Sequence, residues 1–185
     1  MLTETLYKNM NETSQKGLLT ELQCQTDFSE YGVLLSQPII NDSRYDFIAD
    51  INGTLYKIQC KTCAVSEDKK AISFPCSSKN WNSNERKPYT DEIDYFYTCY
   101  NKQGYLIPIS EVGKRSKILR FSSDQSKNLA ISWAKDYEIK KILQGLGANI
   151  SSVETSTFKK RKTTKKCLDC GKEISHGAIR CEECN

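Results

Sequence analysis

The sequence contains no apolar run near the roughly 20 residues that an α-helix needs to cross a bilayer, which argues against a helical membrane protein. Its opening residues, MLTETLYKNMNETSQK, have neither the basic start nor the long apolar core of a secretory leader. An intracellular location, cytoplasmic by default, is therefore expected. A disulfide framework is missing too: the nine cysteines are odd in number, and the last four have metal-ligand spacing. A reducing compartment fits that pattern. No internal repeat is present. At 38% hydrophobic and 27% charged residues, the 185-residue chain has the composition of a folded soluble domain with a small appendage.

Excess charge is also absent from most of the chain. Residues 1–154 hold nineteen basic and nineteen acidic side chains, so the net charge of +4 arises elsewhere. It comes from residues 155–166, TSTFKKRKTTKK, with six basic residues and no acid. Lys159, Lys160, Arg161, Lys162, Lys165 and Lys166 form a basic tether suited to phosphate contacts with nucleic acid.

After the tether comes CLDCGKEISHGAIRCEEC. Cys167, Cys170, Cys181 and Cys184 give C-x2-C-x10-C-x2-C, a spacing that suits four thiolates around a tetrahedral structural zinc ion. So short a segment has little apolar core, and metal binding would supply most of its folding energy. His176, in the loop between the pairs, is not needed as a ligand.

In the larger part, Ser14–Tyr31 has the spacing of an amphipathic helix, with Leu18, Leu19, Leu22 and Phe28 near one face and Gly32 as a stop. VLLSQPII reads as an edge strand, interrupted by Pro38. RYDFIAD and TLYKIQCKT flank Asn52–Gly53, a strong signal for a hairpin turn. Alternation puts Tyr56, Ile58 and Cys60 on the core face of the second strand and Gln59 and Lys61 on the other. Residues 66–92 read as a long irregular connection with a short strand at Ala71–Phe74. DYFYTCY and YLIPIS read as further strands, the latter peripheral because of Pro108, and Leu129–Gln144 as a helix. The aromatic residues of DYFYTCY, with Tyr105, are expected to fill core or interface space. Asp50 reads as a turn residue.

The order of elements predicts a mixed α/β or α+β core over residues 1–150, a basic linker over 151–166 and a zinc ribbon over 167–185. Within that core, divalent-metal phosphodiester chemistry needs oxygen ligands and a nearby cation. Asp46, Gln59 across the hairpin, the Cys60 carbonyl and Glu21 from the helix can offer oxygens, with Lys61 as the cation.

Lys16–Gly17 with Glu21, then RYDFIAD, NG and IQCKT, resembles the PD-(D/E)-x-K nuclease superfamily. The likeness is greatest to its homing endonucleases encoded in group I introns, in which glutamine can occupy the usual acidic position. EIDYFYTCY, GYLIPIS and WAKDYE extend it over roughly residues 12–142. The resemblance implies a restriction-endonuclease-like core, a mixed central sheet flanked by helices. It implies magnesium-dependent hydrolysis of double-stranded DNA, with Asp46 as the motif aspartate, Lys61 as the motif lysine and Glu21 as the helix acid. Gln59 then stands in the acidic position. It also implies a homo-oligomer, since two strands need two sites. Tyr45 stands where the family has proline. A homing endonuclease in a DNA-containing compartment is the expectation. The competing readings are a restriction or repair nuclease and a non-enzymatic zinc-ribbon regulator of nucleic acid.

Overall fold

The computed structural model describes residues 11–40, 42–79, 85–121, 131–148, 150, 165–174, 180 and 184. They belong to two compact units, divided between Val153 and Glu154.

The first unit opens with helix α1, Glu12–Glu30. The side chain of Asn11 caps it, accepting from the Ser14 N–H at 2.8 Å, and Gly32 ends it at a φ of +69° that favours glycine. Strands β1 (Leu34–Ser36), β2 (Phe47–Ile51) and β3 (Thr54–Cys60) follow, then β4 (Ala64–Val65), β5 (Ala71–Pro75), β6 (Ser77–Lys79) and β7 (Arg86–Pro88). After these come β8 (Tyr95–Tyr100), β9 (Gln103–Pro108), β10 (Ser116–Arg120) and helix α2 (Ile139–Gly145).

The central sheet has the order β1-β2-β3-β8-β9. Its neighbours run antiparallel except β3 and β8, which are parallel with Gln59 opposite Phe96. The sheet is mixed, as expected, and β1 and β9, the strands bordered or marked by proline, are its edges. Asn52 (φ +52°) and Gly53 (φ +82°) close the β2–β3 hairpin with both central residues left-handed, the turn whose twist matches the strands. Asp50 accepts the Gly53 N–H at 2.9 Å and is a turn residue.

Alternation along the strands builds two cores. Phe47, Ala49, Ile58, Cys60, Tyr97 and Leu106 meet Cys24 and Phe28 of α1 and Ile139 and Leu143 of α2. On the other face Phe96, Tyr105 and Ile107 meet Ile72, Phe74 and Leu119 of a three-stranded sheet, β10-β5-β4. Each fully buried Phe, Ile or Leu contributes about 1.5–3 kcal/mol. The layers are thus helix, mixed sheet and small sheet.

Three expectations change. The buried face of α1 is Thr20, Cys24, Asp27 and Phe28, while Leu18, Leu19 and Leu22 are exposed. Polar bonds turn the helix: Tyr97 Oη donates to Asp27 Oδ2 at 2.7 Å, and the Thr20 and Thr62 hydroxyls lie 3.2 Å apart. Within residues 66–92 the expected short strand is present as β5, paired with β10, but the described residues around it hold two further strands, β6 and β7, paired with each other. The expected helix from Leu129 to Gln144 is short. Trp133 bridges Arg120, Glu138 bridges Tyr105, and a 3-10 turn at Ala134–Asp136 intervenes. These bridges and the turn occupy the chain until α2 begins at Ile139.

The second unit has a two-stranded hairpin, β11 (Lys165–Lys166) with β12 (Glu173–Ile174). Lys165 and Lys166, read from the sequence as tether, are thus strand residues. The other four basic residues of the tether, with Cys181 and His176, lie outside the described residues.

Candidate active site and metal centre

Asp46 precedes β2 but already belongs to its ladder, because its N–H donates to the Ile58 carbonyl at 2.9 Å. Its carboxylate turns onto the next strand. Oδ2 accepts from the Cys60 N–H at 2.6 Å and from Gln59 Nε2 at 2.5 Å. The same amide nitrogen donates to the Cys60 carbonyl at 3.1 Å. Gln59 is therefore knitted to both neighbouring oxygens and is only 7% exposed.

Glu21 reaches this cluster from α1, one residue after buried Thr20, and is near enough that the Asp46 charge acts on it. Burial raises the Glu21 carboxyl above its ordinary range, and Asp46 raises it further. Burial also raises Asp46, against the opposing pull of the Cys60 N–H, Lys61 and Gln59. Two half-dry carboxylates whose charges disfavour each other are suited to a shared cation.

Lys61 continues from β3, its N–H donating to the Tyr97 carbonyl at 2.8 Å. Its charge acts on Asp46, and its ammonium donates to Tyr89 Oη at 3.0 Å. Cys60 faces inward as the alternation requires, and burial beside Cys24 pushes its thiol far up, so it stays protonated packing. Glu21, Asp46, Gln59 and Lys61 thus share one end of the β2–β3 hairpin, beneath α1.

Two side chains that the sequence did not single out border them. The Arg44 guanidinium carbon lies 3.9 Å from the Tyr89 ring centroid, and Lys61 Nζ lies 4.8 Å from it. No local spacing announces either residue, because Tyr89 meets Lys61 across 28 positions.

In the second unit, Cys167, Cys170 and Cys184 place their sulfur atoms within 4.8 Å of one another. Gly171, at φ +75°, lets its N–H reach the Cys167 carbonyl at 3.0 Å, and the Cys167 N–H donates to Lys172 O at 2.8 Å. Three converging thiols on such a turn fit zinc.

A mixed sheet covered by helices on one face thus carries a carboxylate–lysine cluster at the end of its hairpin. The model of the PD-(D/E)XK endonuclease family matches residues 11–140, and the chain belongs to that family. Among solved structures, the bacterial homing endonuclease I-Ssp6803I has a similar fold, with a TM-score of 0.60 and 19% identity over 76% of this chain and 99% of that one. MepB matches with a TM-score of 0.34 and 18% identity over 60% of this chain and 86% of its own. No curated protein matches the chain significantly. Among the described residues, no helix is long and apolar enough to cross a membrane.

Proposed function

We propose that this chain is a magnesium-dependent, sequence-specific endonuclease of double-stranded DNA, acting as a homing endonuclease. The observation that carries this reading is the meeting of Asp46, Glu21 and Lys61 at one end of the β2–β3 hairpin. The donor set is hard oxygen: two carboxylates, the Cys60 carbonyl and Oε1 of Gln59, which suits magnesium. Asp46, Glu21, Gln59 and Cys60 would hold the ion. When bound, it supplies positive charge where the phosphoryl group becomes more negative during hydrolysis.

The chain's own residues do the rest. Asp46 Oδ2 is fixed by two donors, which orients the carboxylate that would hold the ion. Glu21 approaches from the helix, where burial and Asp46 disfavour its charge, so that a cation beside it would favour the ionised form that holds the ion. Lys61 keeps two ammonium protons beyond the one given to Tyr89, enough to bind a non-bridging phosphate oxygen and orient the attacking water. Water adds to phosphorus as the bond to the leaving ribose oxygen breaks.

One site severs one strand, so a homo-oligomer would bring two sites to the duplex. The six basic residues at 159–166 would add phosphate contacts, and a zinc ion on Cys167, Cys170, Cys181 and Cys184 would fold the ribbon. An origin inside a group I intron fits the homing reading.

Cleavage of plasmid DNA under a magnesium titration tests the assignment, with Asp46→Asn and Lys61→Ala as comparisons. Asp46→Asn should abolish cutting and Lys61→Ala should cripple it, while DNA binding persists. Full cutting by both would refute the site. Binding without cutting by the unsubstituted protein would favour the regulator instead.

A further inference from the structure

An ammonium on four rotatable bonds is a poor catalytic group unless something holds it. Each such side chain loses up to about 2 kcal/mol of rotamer freedom when it is ordered. Lys61 follows the last residue of β3, its main chain still bonded to the Tyr97 carbonyl, so only its side chain remains to be ordered. Among the described residues, its one hydrogen-bond partner through Nζ is Tyr89.

Tyr89 is itself held on several sides. It is 9% exposed, and its N–H donates to the Cys76 carbonyl at 3.2 Å. Its ring meets Phe96 edge-on, with centroids 5.3 Å apart at 86°. Arg44 lies against the same ring and is fixed by three bonds of its own. Nη1 donates to Ser78 Oγ at 2.5 Å, and Nη2 to the Pro88 carbonyl at 2.9 Å and to Glu92 Oε2 at 3.2 Å. Arg44 thereby ties β6 and the end of β7 to the residue two places before Asp46. Phe96 lies opposite Gln59 in the parallel ladder. The ring is thus braced by neighbours of both site strands.

We propose that Tyr89 is a positioning residue that holds the Lys61 ammonium on the reacting phosphate, with Arg44 fixing the Tyr89 ring. The inference rests on the reading of Lys61 as the lysine of the nuclease site. Tyr89 Oη takes one of the three ammonium protons and fixes the direction of the other two. Arg44 contributes no proton to Lys61. Its stacked guanidinium and three bonds keep the ring from rotating away, a preorganisation that costs nothing at the moment of reaction.

Tyr89→Phe removes one oxygen and keeps the ring contacts with Phe96 and Arg44. Single-turnover nicking of supercoiled plasmid in magnesium should slow about 10-fold or more, as losing a hydrogen bond to a charged group implies. The dissociation constant for DNA should stay unchanged. In a Lys61→Ala background, Tyr89→Phe should cause no further loss. A readout independent of cleavage is acetylation of Lys61 by limiting reagent, measured peptide by peptide, which should rise several-fold in Tyr89→Phe. Full nicking by Tyr89→Phe beside a crippled Lys61→Ala overturns the inference alone, as does unchanged Lys61 acetylation. Full nicking by Lys61→Ala overturns the nuclease reading of Lys61 and this inference with it.

Discussion

The main-chain N–H of Cys60 donates to Oδ2 of Asp46 at 2.6 Å, so the backbone of one strand aims the carboxylate that enters the next. A buried cysteine thereby helps to set the site through its peptide group, whatever its side chain does. Substituting Cys60 by Ala keeps that N–H and should leave cleavage within a few-fold of the parent. Its cost should appear in stability instead, as about 1–2 kcal/mol of lost packing by urea denaturation. A collapse of cleavage in a Cys60→Ala protein of near-normal stability would show that the thiol itself takes part.

Gly104 lies against the bond between Asp27 and Tyr97. A Cβ there would run into Asp27 Oδ2 and come within 2.9 Å of the Tyr97 ring and hydroxyl. Gly104→Ala should destabilise the first unit by about 1–3 kcal/mol, the usual range for overpacking, and lower Tm by several degrees. An unchanged Tm would mean that Asp27 can move aside.

Asp27 also sets a pH dependence. Burial raises its carboxyl, and the bonds from Tyr97 and Gln23 only partly offset this while the nearby Glu30 charge adds to it. A folded-state value above the unfolded one means that the folded chain binds the proton more tightly. The associated stability is fully present below the ordinary carboxylate range and is lost as pH rises through the raised value. Asp27→Asn should therefore gain on the parent as pH rises from about 3.5 to 7. Parallel denaturant curves across that range, with a constant gap between the two proteins, would contradict it.

The ribbon should hold one zinc per chain by elemental analysis. Chelation should expose Cys167, Cys170, Cys181 and Cys184 to alkylation together, while buried Cys24 and Cys60 stay protected. Scattered reactivity with no bound zinc would remove the zinc assignment.

Neutralising the basic tether should weaken DNA binding uniformly over sequences. The slope of log affinity against log salt should become shallower by about 0.9 for each phosphate that the tether ceases to neutralise. An unchanged slope would make the tether a solvated linker.

Part of this molecule could be read directly. Asn52–Gly53, the alternation to Cys60 and the order of Glu21, Asp46, Gln59 and Lys61 are local signals, and the hairpin follows from them. Gly32 marked the end of α1, yet its leucines misdirected the choice of face, because the Asp27–Tyr97 bond is formed across 70 positions and leaves no periodic trace. The pairing of β5 with β10 and the bridges at Trp133 and Glu138 are likewise long-range, and they override local preference. Tyr89 and Arg44 were invisible for the same reason.

The parallel pairing of β3 with β8 has a consequence in time. An antiparallel hairpin such as β2–β3 closes from neighbouring residues, but a parallel pair must wait for its crossover, here residues 61–94, to be laid down and returned. Asp46 and Gln59 belong to the early, local piece. Tyr89 arrives with the crossover, and the Tyr97 carbonyl that anchors Lys61 arrives with β8. A chain that has made only its hairpin would carry Asp46 and Gln59 without the groups that hold Lys61 in place. Competence would then be acquired late in folding, with the closing of the crossover as the deciding event.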